Sequence, residues 1–278
     1  FSNANGKYRF TVDDCIIALQ DITENKDIYK SVFENPFLKV FKQAHDKYGS
    51  KVHINLFYEN LDGSFNLSMM TDKFKEEFIA NADWMTFSFH AYREFPDEPY
   101  KHATYETVMR DCHLVTEEIK RFAGKEVLLD STTLHWGASN VYGSRALRTF
   151  GFKALSGYLA LDREGNPWVS YHLNKEQVSH TMQRDFWVDT EEDIIFVKLH
   201  MVLNAAELTA DKVCSALDEW VAGKPARGFF QMVIHEQYFY PDYAYYEPDY
   251  AERIMIMAEW MKNHGYEPCS LSEIIKEN

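Results

Sequence analysis

Short runs rich in β-branched and aromatic residues alternate along this chain with longer stretches in which apolar residues recur every three or four positions. The first pattern predicts buried strands and the second predicts amphipathic helices. A first strand reads Lys7-Tyr8-Arg9-Phe10-Thr11-Val12 and ends in two adjacent carboxylates, Asp13 and Asp14. Further strands are predicted at 52–57, 85–90, 126–130, 152–155, 194–200 and 229–235. Between them, Asn35-Pro36 reads as a cap and first turn for a helix carrying Phe37, Val40, Phe41 and Ala44, stopped at Gly49. Thr71 reads as the cap of a helix bearing Phe74, Phe78 and Ile79. A long helix from Thr104 presents Tyr105, Val108, Met109, Cys112, Val115, Ile119 and Phe122. Helices follow at 144–150, 209–221 and 249–263. Residues 156–193 are less regular and read as an insertion or hairpin excursion around the turn at 162–167.

Seven or so strand–helix units in 278 residues predict an α/β fold with a parallel sheet and helices outside it. The length suits a single domain spanning 1–278, a distorted (β/α)7-type barrel, with an open doubly wound sheet as the structural alternative. No GxGxxG or P-loop glycine pattern supports a nucleotide-binding version.

The formal net charge of −14 speaks against nucleic acid and anionic membrane surfaces as main partners. No apolar run of about 18 residues is present, so no membrane span is expected. The 17 Tyr, 20 Phe and 6 Trp are a high aromatic share; a surplus beyond core needs often lines a cleft for flat or sugar-like ligands, and plain core packing is the commoner outcome. The four cysteines are far apart and read as free thiols, which fits a cytoplasmic, reducing compartment. The chain starts at Phe1, so an exported form with a removed leader fits as well.

Several predicted strands end in residues that bind cations or move protons: Asp13 and Asp14, Glu59, His90, Asp130, His200 and the pair His235-Glu236. In parallel α/β folds the chemistry sits at the carboxyl ends of strands. Two neighbouring carboxylates repel, and a bound cation is one reason to keep them together; an Asp-rich turn is the other reading. His90 and Glu94 lie four apart and would meet one cation if the backbone turned helically between them. Glu94 could equally pair with Arg93, and His135 and His200 could equally be hydrogen-bonded structural histidines.

The order of these motifs resembles the polysaccharide deacetylases, the NodB-homology or carbohydrate esterase four group. Thr11-Val12-Asp13-Asp14 resembles the family's first motif, His90-Ala91-Tyr92-Arg93-Glu94-Phe95-Pro96 its second, and Val233-Ile234-His235 the C-terminal strand that carries a histidine. Glu94 stands where the family has a second His, and Asp130 to Gly137 lacks the family's Arg. The resemblance implies a divalent metal, zinc first with nickel, cobalt or manganese as alternatives, held by Asp14 and His90 with Glu94 as third ligand. It implies Asp13 as general base and His235 as general acid in removing acetyl groups from an acetylated carbohydrate. A glycosidase pairing Asp13 with Glu94 or Glu236, and a non-catalytic carbohydrate-binding relative, are the other expectations. Trp136, Tyr142, Trp168 and the run of Tyr238, Phe239, Tyr240, Tyr243, Tyr245 and Tyr246 would supply sugar-stacking walls or a packed cover over the barrel mouth.

Overall fold

The computed structural model describes residues 1–223 and 228–276. The chain runs β1 (Lys7–Cys15), α1 (Ile17–Glu24), α2 (Pro36–Tyr48), β2 (Val52–Phe57), α3 (Lys75–Ala80), β3 (Met85–Ala91), α4 (Tyr105–Phe122), β4 (Ser131–Thr133), α5 (Val141–Phe150) and β5 (Ala154–Gly157). It continues through β6 (Ala160–Leu161), β7 (Pro167–Trp168), α6 (Lys175–Arg184), β8 (Phe186–Asp189), β9 (Ile194–Lys198), β10 (Met201–Val202), α7 (Val213–Ala222), β11 (Phe230–His235), α8 (Tyr250–Asn263), β12 (Glu267–Pro268) and α9 (Leu271–Lys276).

Strands β10, β11, β1, β2 and β3 pair in that order, all parallel, and β4, β5 and β9 form a second parallel set. Two seams join the sets. At one, Phe87 bridges Leu128 and the Thr132 hydroxyl donates to the Phe89 carbonyl. At the other, Leu199 N donates to Gly157 O at 2.8 Å and His200 N donates to Gln231 O at 3.0 Å, as the chain passes from β9 to β10. The ring therefore runs β1, β2, β3, β4, β5, β9–β10, β11 and back to β1, a distorted (β/α)7 barrel as the alternating pattern predicts. No helix among the described residues is long and apolar enough to cross a membrane.

Caps follow local chemistry where expected. The Asn35 side chain accepts from Leu38 N at 3.0 Å ahead of Pro36, and Gly49 closes α2 in the left-handed conformation. Thr104 caps α4 by accepting from Thr107 N at 3.2 Å. Other boundaries move. Residues 125–127 form a 3-10 turn and β4 begins at Ser131, so Asp130 sits at the entry of that strand, where it meets Lys153 at 3.2 Å and the Ser272 hydroxyl. Thr71 does not cap α3, whose first turn follows Phe74. The irregular stretch contains the antiparallel hairpin β6–β7, helix α6, and β8, which pairs antiparallel with β9.

Outside the barrel wall the core is apolar. Inside it is not: Arg9, Thr11, His53, Asn55, Ser88, Thr132, Ser156 and Gln231 are all buried. Buried polar groups persist only when hydrogen-bonded. The interior is thus a polar column that rises toward the carboxyl ends of the strands.

Candidate metal centre

Side chains alternate across a strand, so two adjacent aspartates should point to opposite faces. Here they do not. Val12 pairs with Ile54 and Cys15 with Leu56, so β1 carries one extra residue against β2. Asp14 itself takes φ 60, the left-handed conformation that Asp tolerates better than most residues. This bulge brings both carboxylates to the mouth of the barrel. A second register shift spans Phe89 to Ala91 against Leu56 and Phe57, and His90 is the extra residue. Each bulge re-aims one of these polar residues.

His90 Nε2 lies 3.0 Å from Asp14 Oδ1, and His135 Nδ1 lies 3.1 Å from the same oxygen. The two imidazoles are 3.1 Å apart through those nitrogens. Asp14, His90 and His135 are all buried, and among the described residues they form the one set of three such side chains close enough to share an ion. The far nitrogens decide the tautomers. His90 Nδ1 meets the Thr133 carbonyl and His135 Nε2 meets the Glu94 carbonyl at 3.0 Å. A carbonyl only accepts, so both far nitrogens carry the protons. In their neutral forms the two imidazoles turn bare lone pairs toward a carboxylate oxygen, with no proton between the three atoms. Such a cluster can hold a cation, and carbonyl-anchored histidines are how metal ligands are oriented. The Gln237 amide donates to Asp14 Oδ2 at 2.8 Å and fixes the other oxygen. Burial alone would raise the Asp14 carboxyl, but in their protonated forms His135 and His90 donate to it and hold it well below the usual carboxylate range. Burial likewise works against charge on His90, and the Asp13 and Asp14 carboxylates more than offset it.

The sequence-predicted residues distribute as follows. Asp14 and His90 join the cluster. The third ligand atom there, the second nitrogen, comes from His135. Glu94 contributes its main-chain carbonyl to His135, while its side chain lines the same cavity outside the cluster. Burial, then the Asp14 charge, pushes its carboxyl up to about 7. Asp13 stands beside His235 in register across β1 and β11, and both line the cavity. Burial raises the Asp13 carboxyl, against the pull of His90 and His235. The Asn55 amide donates to Asp13 Oδ1 at 2.7 Å. His235 Nδ1 pairs with Asn204 Oδ1 at 2.7 Å, which leaves Nε2 for the cavity.

Three other strand-end residues have structural partners. Glu59 pairs with Arg93 at 3.2 Å, and His200 meets Asp185 at 3.0 Å. Glu236 is fully buried, and its carboxylate accepts from the main-chain N–H groups of Ile16, Ile17 and Ala18 at 2.7, 2.8 and 2.7 Å. It thereby satisfies the open N-terminus of α1 with a charge of the favoured sign. Glu236→Gln would place an amide N–H against N–H donors. We expect a loss of about 2–4 kcal/mol of stability, read from denaturant midpoints.

The cavity measures about 520 Å³. Trp136, Tyr158, Trp168, Tyr238 and Tyr243 line it. The predicted aromatic run divides: Tyr238 and Tyr243 face the cavity, Phe239 packs 5.2 Å from Phe37, Tyr240 donates to Glu236 at 3.2 Å, and Tyr245 and Tyr246 are exposed. Tyr142 is exposed beside Arg145 and is not part of the lining. The hairpin excursion is what buttresses the His135 loop. Gly137 takes φ +51, and a Cβ there would meet Val169 Cγ1 at 3.0 Å. Leu134 N donates to the Tyr171 hydroxyl at 3.1 Å. Residues that sequence reasoning passed over are Asn55, Asn204 and Gln237. Only Gln237 carried a signal, since it follows the His235-Glu236 pair directly.

No protein-family model matches the chain, and no curated protein matches it in sequence. Solved structures do match in fold. A Mycobacterium smegmatis protein assigned as a polysaccharide deacetylase aligns at TM-score 0.57 with 13% identity, over 100% of this chain and 91% of its own. The Xyl-CE4 domain of a multidomain xylanase from the hindgut metagenome of Trinervitermes trinervoides aligns at 0.50 with 11% identity, over 97% and 89%. The 4-alpha-glucanotransferase of Thermococcus litoralis aligns at 0.60 with 11% identity, over 98% of this chain but 40% of that one. The class this architecture defines is the distorted (β/α)7 barrel, a fold it shares with these solved structures. At such identities the likeness is one of fold, and the chemistry has to be argued from the site.

Proposed function

We propose that this chain is a metal-dependent hydrolase that removes acetyl groups from an acetylated carbohydrate. The observation that carries the reading is the convergence of Asp14 Oδ1, His90 Nε2 and His135 Nδ1 within 3.0–3.1 Å of one another, both histidines anchored on main-chain carbonyls. One carboxylate and two imidazoles suit zinc and also nickel, cobalt or manganese. A divalent cation held there would polarise the acyl carbonyl and acidify an attacking water.

The remaining roles fall to residues of the chain. Asp14 is tied into the cluster and loses basicity. Asp13, its neighbour, stays outside and takes the proton of the attacking water. His235, across the cavity wall from Asp13, delivers a proton from Nε2 to the leaving amine or alcohol. Trp136, Trp168 and the cavity tyrosines offer flat faces to sugar rings. The glucanotransferase likeness raises the glycosidase alternative; Glu236 is committed to the N-terminus of α1 and cannot serve as its second carboxylate, so that reading would rest on Glu94, whose carboxyl lines the cavity.

The test is acetate release from acetylated chito-oligosaccharides and acetylated xylan by the purified chain, before and after chelation and after return of each metal singly. We expect release that chelation abolishes and a divalent ion restores. Acetate release untouched by chelation, with no bound metal detected, would overturn the metal-dependent reading. Binding without release would favour the non-catalytic relative.

A further inference from the structure

Arg9 lies on β1 four residues before Asp13 and on the same, inward face, at the deep end of the polar column. It is 1% exposed. Its guanidinium donates through Nη1 to Ser156 Oγ at 3.1 Å and to Gln231 Oε1, and through Nη2 to His53 Nδ1. Among the described residues no carboxylate touches it. A buried cation without a contacting anion is costly, so the barrel interior must answer that charge by another route.

The hydrogen bonds supply one, and the guanidinium sets their direction. A guanidinium only donates, so His53 Nδ1 accepts and the ring proton sits on Nε2. His53 Nε2 is 2.8 Å from Ser88 Oγ and therefore donates to it. The Ser88 hydroxyl, so engaged, has two acceptors in reach, Asn55 Oδ1 at 2.6 Å and Thr132 Oγ1 at 3.0 Å, and the shorter bond runs to Asn55. Asn55 Oδ1 also accepts from Thr133 N at 3.4 Å, and Nδ2 faces the Val12 carbonyl at 3.3 Å, which fixes which end of the amide is oxygen. Its Nδ2 then donates to Asp13 Oδ1 at 2.7 Å. Every link points the same way, from cation to carboxylate. Burial and the Arg9 charge keep His53 well below its ordinary pKa, which agrees with a ring that can only accept at Nδ1.

We propose that Arg9, His53, Ser88 and Asn55 form a one-way relay of donors that positions the Asp13 carboxylate. Arg9, His53 and Ser88 are positioning residues, acting through Asn55. This rests on Asp13 being the base of the proposed hydrolysis. The relay places Asp13 Oδ1 against Asn55 and leaves Oδ2 to the cavity. It also explains why the interior of a hydrophobic fold carries a column of polar side chains: the charge on Arg9 and the charge on Asp13 answer each other through it.

Two kinds of measurement test the relay. In the wild-type chain, ¹⁵N spectra should show His53 as the neutral Nε2–H tautomer with no titration across neutral pH. In labelled protein, the Asp13 carboxyl ¹³C resonance should move in Ser88→Ala and return in Ser88→Thr. With acetylated chito-oligosaccharide as substrate, Ser88→Ala and His53→Leu should lower kcat by roughly tenfold or more with KM and metal content unchanged. Ser88→Thr and His53→Gln, which keep an acceptor and a donor in line, should recover most of it. An Nδ1–H tautomer, a titrating His53, or an Asp13 resonance indifferent to Ser88→Ala would overturn the relay. A folded Ser88→Ala chain of unchanged kcat would do the same. Failure of the hydrolase reading looks different: the wild-type chain releases no acetate while the Asp13 resonance still responds.

Discussion

On the proposed hydrolase reading, we expect Asp13→Asn to bind metal as the wild-type chain does and to lose turnover. Asn presents the same shape to the Asn55 amide and Thr11 hydroxyl that now surround the Asp13 carboxylate, so the local packing survives. It cannot accept a proton. Removing a positioned general base costs on the order of 10²–10⁴-fold in kcat. KM should change little, because the aromatic walls that would hold the sugar are untouched. Metal content measured on the same preparation separates this outcome from loss of the site. A variant that loses metal along with activity would move Asp13 from the base role into the ligand set.

The second large effect concerns the third donor. His135→Ala removes one of the two bare nitrogens facing Asp14 Oδ1, and the remaining pair cannot enclose an ion. We expect metal affinity to fall by more than about a hundredfold, the upper end of what outer-shell changes alone cost. Glu94→Gln leaves its main-chain carbonyl in place to orient His135, so it should keep the metal. Titration of the two variants with zinc, followed by elemental analysis, reads this directly. The reverse result, with Glu94→Gln losing metal and His135→Ala keeping it, would return the third ligand to Glu94.

That contrast shows where sequence reasoning stopped. The i, i+4 spacing of His90 and Glu94 brings two side chains together only on a helical turn, and residues 92–97 form bends with no helix among them. The loop carries Glu94 past His135, so that its backbone makes the contact instead of its carboxylate. His135 and His200 each follow a strand and looked alike along the chain. Only the pairing of β4 beside β3 sets one of them against His90, while the passage from β9 to β10 sets the other against Asp185. Asp130 was assigned to the wrong end of its strand because the apolar run 126–129 is a turn and the short polar run Ser131–Thr133 is the strand. In a barrel with a polar interior, strand residues need not be apolar, and hydrophobic pattern loses its grip there.

What the sequence by itself determined is the alternation of strand and helix, the helix caps at Asn35 and Thr104, and the presence of Asp13, Asp14, His90 and His235 at strand ends in that order. These follow from side-chain chemistry and spacing within a few residues, which local pattern records. The tertiary structure alone decided that adjacent aspartates share one face, that His135 completes the cluster, that Glu236 serves a helix, and that a buried arginine reaches Asp13 through three intervening side chains. Each depends on a β-bulge or on contacts between residues tens to hundreds of positions apart. Bulges are set by the register between strands, and register is a property of the closed barrel rather than of any one segment.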